Sequence, residues 1–320
     1  MTQTARTIHT LALRGQSCAL GARTWVMGVL NVTPDSFSDG GRFQAADAAI
    51  EAGLAQFEAG ADLVDVGGES TRPGAQPVAA EEEIRRVVPV VEALRRRHHG
   101  FVSIDTTKAA VARAALDAGA DLVNDVSGFR FDPAMAPLVA ERRVPAVLMH
   151  LRGDFLSMHH DPSYEDVMAE VIAELGQAVG RAESAGVPRA QVIVDPGIGF
   201  SKAAAHSLEV IRRLPDLAVL DQPVLAGPSR KSFIGRVLDL PVGERLMGTA
   251  AAVAACVLGG AHIVRVHDVA PMVQVVRMCD AIRGELSSGV LAPRSSSSSA
   301  AVAGEPLRRR PRRRSAAENA

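Results

Sequence analysis

The chain has 320 residues, 47% of them apolar and 22% charged, a balance that buries a sizeable core and excludes disorder as the dominant state. Aromatics make up only 3%, so the core must be built from Ala, Val, Leu and Ile, as in α/β proteins with buried parallel strands. The net charge of −1 is uneven: residues 287–320 hold seven Arg and two Glu, a net of +5, which leaves −6 on the first 286 and no nucleic-acid footprint on the bulk of the protein.

The opening MTQTARTIHTLALRGQ has no continuous apolar stretch, so no secretory signal is expected. No run approaches ~18 apolar residues without charge, so no membrane span is expected either. Three scattered cysteines (Cys18, Cys256, Cys279) are too few for a disulfide framework or a zinc site, which places the chain in the reducing cytoplasm.

Residues 1–24 read as an extension with a small hairpin over 8–24. From Trp25 onward, short apolar runs alternate with helical patterns. Strands are predicted at 25–30, 62–66, 101–104, 121–125, 145–149, 191–195, 223–227 and 262–266. Helices are predicted at 45–59, 81–98, 108–118, 133–142, 164–185, 205–214, 242–259 and 270–285. Eight strand–helix units over residues 25–286 imply a (β/α)8 TIM barrel, with a doubly wound open sheet as the alternative. Gly60-Ala-Asp-Leu-Val64 recurs as Gly119-Ala-Asp-Leu-Val123 and loosely as Gly260-Ala-His-Ile-Val264, each a helix closing on Gly before a buried strand. Residues 287–320, with the Ser295–Ser299 run and RRRPRRR at 308–314, read as a disordered, solvated tail.

Chemistry in a parallel barrel collects at the carboxyl ends of the strands. Strand one leads into Asn31 and the polar loop to Gly41, and strand two into Gly67-Gly-Glu-Ser-Thr-Arg-Pro-Gly74. The next four strands end in Asp105, Asn124-Asp125, Met149-His150 and Asp195; strand seven runs into Gly227-Pro-Ser-Arg-Lys-Ser232, and strand eight carries Arg265 and His267. One polar residue at a strand end is a turn or a helix cap, and Asp105 could cap the helix that follows it. Eight converging sets imply one active site on that rim.

Asp105, Asn124, Asp195 and Lys231 mix donors and acceptors from four strands, which suits a flat heterocycle with ring N–H and carbonyl groups. Arg72, Arg265 and His267 form an anion-handling group, since a basic pair facing an apolar interior is costly unless it meets an anion. Ser229 and Ser232 flank a helix start that favours a carboxylate or phosphate. Asn31, with Asp35 and Asp39 in the loop, offers oxygen ligands for Mg²⁺.

MGVLNVTPDSFSDGG (27–41) and DVGGESTRPGA (65–75) closely resemble the two signature loops of the dihydropteroate synthase family. The resemblance continues through SIDTTK (103–108), NDVSG (124–128), VLMH (147–150), DPGIGFSK (195–202), SRKSFIG (229–235) and RVHD (265–268). It implies condensation of 6-hydroxymethyl-7,8-dihydropterin diphosphate with 4-aminobenzoate, through a Mg²⁺-assisted, cation-like pterin, in folate synthesis. It implies pterin contacts at Asp105, Asn124, Met149, Asp195 and Lys231, and diphosphate contacts at Arg72, Arg265, His267 and, through Mg²⁺, Asn31. The aminobenzoate contacts would be Phe37, Thr71, Pro73, Phe200, Lys231 and Ser232. A homodimer, and sulfonamides as competing ligands, follow from the same likeness.

Ile198 stands where that family often has a larger apolar residue, and Ser201 where Gly or Ala is common. Two other readings share the barrel. A methyltransferase that uses a methylated folate would need neither the TPDSFSDGG loop nor SRK, and a binding-only barrel would have lost Arg72, Lys231, Arg265 or His267. All of these are kept.

Overall fold

The computed structural model describes residues 6–33, 42–70, 77–155 and 163–285. Strands β1 (His9–Leu13) and β2 (Gln16–Leu20) pair antiparallel, with His9 opposite Leu20 and Leu13 opposite Gln16. Arg14 and Gly15 between them both take positive φ (55° and 71°), the backbone that a two-residue hairpin turn requires.

Eight parallel strands follow: β3 (Trp25–Asn31), β4 (Leu63–Gly67), β5 (Phe101–Asp105), β6 (Leu122–Asp125), β7 (Ala146–Met149), β8 (Val192–Asp195), β9 (Leu225–Ala226) and β10 (Ile263–Val266). They pair in the order β8-β7-β6-β5-β4-β3-β10-β9. A parallel bridge between Val194 and Val224 brings β8 to β9, and the Val194 amide donates to the Pro223 carbonyl at 2.9 Å. The sheet therefore closes as a barrel rather than staying open, and the eight strands predicted from the sequence are all present.

The surrounding helices are α1 (Arg42–Glu58), α2 (Ala80–Arg97), α3 (Ala109–Asp117), α4 (Met135–Arg142), α5 (Val167–Ser184), α6 (Ala204–Arg212), α7 (Ser232–Leu238), α8 (Leu246–Leu258) and α9 (Val269–Arg283). Two helices, not one, separate β9 from β10. Asp239 turns left-handed (φ 53°) to stop α7, and Pro241 starts a short 3-10 turn, Val242–Glu244, before α8. Gly60, Gly119 and Gly260 hold φ of 99°, 107° and 99°, so the recurring Gly-Ala pattern marks the left-handed helix ends that only Gly adopts without strain.

Strand alternation sorts the side chains into two cores. Val26, Val64, Val66, Val102, Ile104 and Val123 point outward and pack among the helices. Trp25, Met27, Leu63, Leu122, Val147, Ile193, Leu225 and Ile263 point inward and form the floor of the barrel interior, which Leu11, Leu13 and Leu20 of the hairpin seal from below. Further along the same inward tracks stand Asn31, Gly67, Asp105, Asn124, Met149, Asp195, Gly227 and Arg265. Asn31, Asp105, Asn124, Asp195 and Arg265 thus stand as polar tips on the same face as their strands' apolar anchors.

A buried lock holds the closed end. Arg6 donates to Thr24 Oγ1 (2.8 Å), Asp280 Oδ1 (3.0 Å), the Ala261 carbonyl and Glu285, while Asp280 also accepts from the Thr24 amide (2.9 Å) and hydroxyl (2.7 Å). Removing one member of a buried ion pair strands the other charge. Asp280→Ala is expected to cost roughly 3 kcal/mol, read as a fall of about 6 °C in the melting midpoint. An unchanged midpoint would show that this lock contributes nothing.

Candidate active site

One pocket opens at the carboxyl end of the barrel, and its wall brings together Asp105, Asn124, Met149, Asp195, Lys231 and Arg265, joined by Val126, Ile198, Phe200 and Gly227. Five of the six come from the inward track of different strands; Lys231 arrives from the turn before α7. Asp105 is not a helix cap: Lys108 occupies that position of α3, and the Ala109 amide donates instead to Asp132 (2.7 Å).

The centre of the site is a network built around Asp65, the one member that the sequence did not single out. Arg265 donates from Nε to Asp65 Oδ2 at 2.6 Å and from Nη2 to Asp105 Oδ2 at 2.7 Å. Asn124 Nδ2 donates to the same Asp65 oxygen at 2.9 Å. Asp65 is completely buried, one step below the rim on β4. Its signal in the sequence is an acid on the inward track of an apolar strand, a position that is costly to fill without a buried partner.

Burial sets the electrostatics. It raises the Asp105 carboxyl well above the ordinary carboxylate range, against the opposing pull of Arg265. It raises Asp195 to about 6, although the Gly197 amide donates to its Oδ1 at 2.7 Å. It lowers Lys231 to about 7, with Arg265 adding repulsion. The Lys231 ammonium lies 3.6 Å from the centre of the Phe200 ring, a cation–π contact that fixes both side chains on one wall. Arg265 stays firmly charged, because Asp65 and Asp105 outweigh its desolvation.

His267, expected as a basic partner of Arg265, is instead lowered to about 4, first by burial and then by Arg265, so it is a neutral hydrogen-bonding group at pH 7. Its Nδ1 lies 3.0 Å from Ser229 Oγ. Ser232 is the exposed first residue of α7 and faces a shallow hollow with Arg236 and Arg245 rather than the main pocket. Asn31 ends β3, half-buried, opposite Gly67. Phe37, Thr71, Arg72 and Pro73, like Asp35, Asp39 and the tail from residue 287, lie outside the described residues.

Two rim residues turn away from the pocket. Asp125 accepts from the Ser127 (2.7 Å) and Phe129 (3.1 Å) amides and so builds the β6 turn. His150 meets the buried Lys202, Nζ to Nδ1 at 2.8 Å, and Lys202 also reaches the Phe200 carbonyl at 3.3 Å. Burial lowers Lys202 to about 7, and this pair supports the turn that presents Phe200. Ser201 in the same turn is buried with φ 43°, and its hydroxyl accepts from the Arg152 amide at 3.0 Å, so it ties two loops together and does not line the pocket.

A buried acid raised from 3.8 to about 6 binds its proton more tightly in the folded state, so its stabilising effect is present below pH 4 and is lost as pH rises through 6. Asp195→Asn removes that loss. Relative to the parent, the variant's melting midpoint is expected to gain roughly 5 °C between pH 4 and pH 7. A difference that stays constant across this range would contradict the raised affinity for the proton.

The chain matches the family described as pterin binding enzyme over residues 27–267. It is 47% identical over 263 residues to the dihydropteroate synthase of Synechocystis sp., covering 82% of this chain and 91% of that protein. Its fold is similar to that of Xanthomonas albilineans dihydropteroate synthase with 4-aminobenzoic acid, with a TM-score of 0.81 and 44% identity over 87% of this chain and 99% of the other. It is also similar to Yersinia pestis dihydropteroate synthase in a sulfonamide complex, with a TM-score of 0.81 and 40% identity over 86% and 99%. The chain belongs to the pterin binding enzyme family, on its dihydropteroate synthase branch.

Proposed function

We propose that the chain condenses 6-hydroxymethyl-7,8-dihydropterin diphosphate with 4-aminobenzoate to give 7,8-dihydropteroate and diphosphate, a transferase step of folate synthesis in the cytoplasm. The observation that carries this reading is the convergence of Asp105, Asn124, Asp195, Lys231 and Arg265 on one pocket. The ligands in the solved relatives support it.

Asp105, Asn124, Asp195 and Lys231 hold the pterin, with Met149 as an apolar wall. Arg265 and His267, with Arg72 from the second loop, receive the diphosphate. The bond between the pterin methylene carbon and the diphosphate oxygen breaks, and its electron pair leaves with the diphosphate, whose growing charge the cationic side chains balance. The methylene becomes a cation delocalised into the pterin ring. Asp105 and Asp195 stabilise it, because a neighbouring positive charge favours the ionised form of a buried carboxyl. The aminobenzoate nitrogen then bonds to the methylene and gives up a proton to solvent. Phe200 and Lys231 form the aminobenzoate wall, and Phe37, Thr71 and Pro73 are the further contacts that the family likeness implies. No covalent enzyme intermediate is required.

Asn31 is the residue that would hold Mg²⁺. Among the described residues no group of three His, Cys, Asp or Glu forms a metal cage. A single carboxamide oxygen at a strand end fits an ion that takes most of its shell from water and phosphate. When bound, Mg²⁺ supplies charge neutralisation to the diphosphate.

Sulfonamides would compete at the aminobenzoate wall. A homodimer completes the reading: Val237, Leu238 and Met247 of α7 and α8, and Met278 and Ile282 of α9, expose apolar side chains that a partner would cover. Sedimentation is expected to give twice the chain mass, and a monomer at micromolar concentration would remove the dimer from the account.

Lys231→Ala tests the catalytic assignment. It is expected to lower kcat/KM by roughly 100-fold or more, with the circular dichroism spectrum unchanged. Retained turnover in a folded variant would sink the role given to Lys231.

A further inference from the structure

Among the described residues that line the heterocycle pocket one carries an amide, Asn124, and an amide can present its two ends in either order. A carboxylate cannot: it only accepts. Asp65 accepts from Arg265 Nε at 2.6 Å and from Asn124 Nδ2 at 2.9 Å on the same oxygen, and it is wholly buried. Reversing Asn124 would set its carbonyl oxygen against the Asp65 oxygen that accepts from Arg265, two acceptors facing each other. Arg265 Nε already donates to that same Asp65 oxygen at 2.6 Å, so the geometry seats the amide nitrogen of Asn124, not its oxygen, against Asp65.

We infer that Asp65 is a positioning residue that fixes the orientation of the Asn124 amide, and through it the order of donor and acceptor that the pocket requires along one edge of the heterocycle. With Nδ2 tied to Asp65, Asn124 offers Oδ1 and one remaining N–H to a ligand, always in the same order. A ligand edge must answer with a donor opposite Oδ1 and an acceptor opposite the N–H. The 2-amino group and N1 of a pterin form such a pair. A lumazine, with an oxo group at C2 and a hydrogen on N1, presents the same two positions reversed. Asp65 thereby selects the amino-oxo heterocycle over the dioxo one without touching either. The inference rests on the pterin reading of this pocket.

The test compares binding of 6-hydroxymethylpterin and 6-hydroxymethyl-lumazine by calorimetry in the full chain and in Asp65→Asn. An asparagine at 65 can donate or accept, so it supports both orientations of Asn124. Loss of the Arg265 contact weakens both ligands alike, so the ratio of the two affinities isolates the orientation of Asn124. The parent is expected to favour the pterin, and Asp65→Asn to reduce that preference by roughly 10-fold or more. An unchanged ratio in the variant overturns the inference. If Asp65→Asn does not fold, Asn124→Ala gives the same reading: its preference is expected to fall comparably, and a full parental preference without the amide overturns the inference. Turnover of the pterin diphosphate by the parent chain is measured alongside. Its absence would count against the proposed reaction, whereas an active parent with an unchanged ratio in the variant counts only against Asp65.

Discussion

Five ionisable groups, Asp65, Asp105, Asp195, Lys231 and Arg265, share one desolvated space at the top of a barrel whose floor is entirely apolar. Taking charges out of water is expensive unless they find partners. Arg265 meets this constraint by bridging Asp65 and Asp105, leaving Asp195 and Lys231 at raised and lowered proton affinity. A site in this condition is poised for a ligand that brings complementary groups. A donor-rich ring relieves the carboxyls, and an anion relieves the cations.

The scaffold makes that arrangement possible by keeping it rigid. On each strand the inward residue nearest the floor is apolar, and on every strand but β7, which ends in Met149, the inward residue at the tip is polar or glycine, so packing at one end fixes the chemistry at the other. The hairpin and the Arg6–Asp280 lock close the floor, and Lys202 with His150 steadies the turn that holds Phe200 against Lys231. Catalysis by charge placement depends on such preorganisation, because a carboxylate or guanidinium that had to move would lose its advantage over water.

Much of this was legible in the sequence because period-two alternation and strand-end polarity are local signals. The eight strands, and the rim positions Asp105, Asn124, Asp195 and Arg265, follow from them directly. Asp65 escaped because it lies one step below the rim inside an apolar run, and its role appears only when Arg265, 200 positions away, is brought beside it. The charge of His267 escaped for a related reason: histidine is neutral or charged according to burial, and burial is a property of the fold. The break between α7 and α8 depends on Asp239 adopting a left-handed backbone, which residue type alone does not dictate.

The joining of two substrates in this pocket is the event on which everything above depends. The most direct measurement supplies the parent chain with 6-hydroxymethyl-7,8-dihydropterin diphosphate, 4-aminobenzoate and Mg²⁺, and follows diphosphate and dihydropteroate together. Equal amounts of both products, formed only when both substrates are present, are predicted. A chain that binds the pterin diphosphate tightly yet forms no dihydropteroate would contradict the account and leave a binding protein in its place.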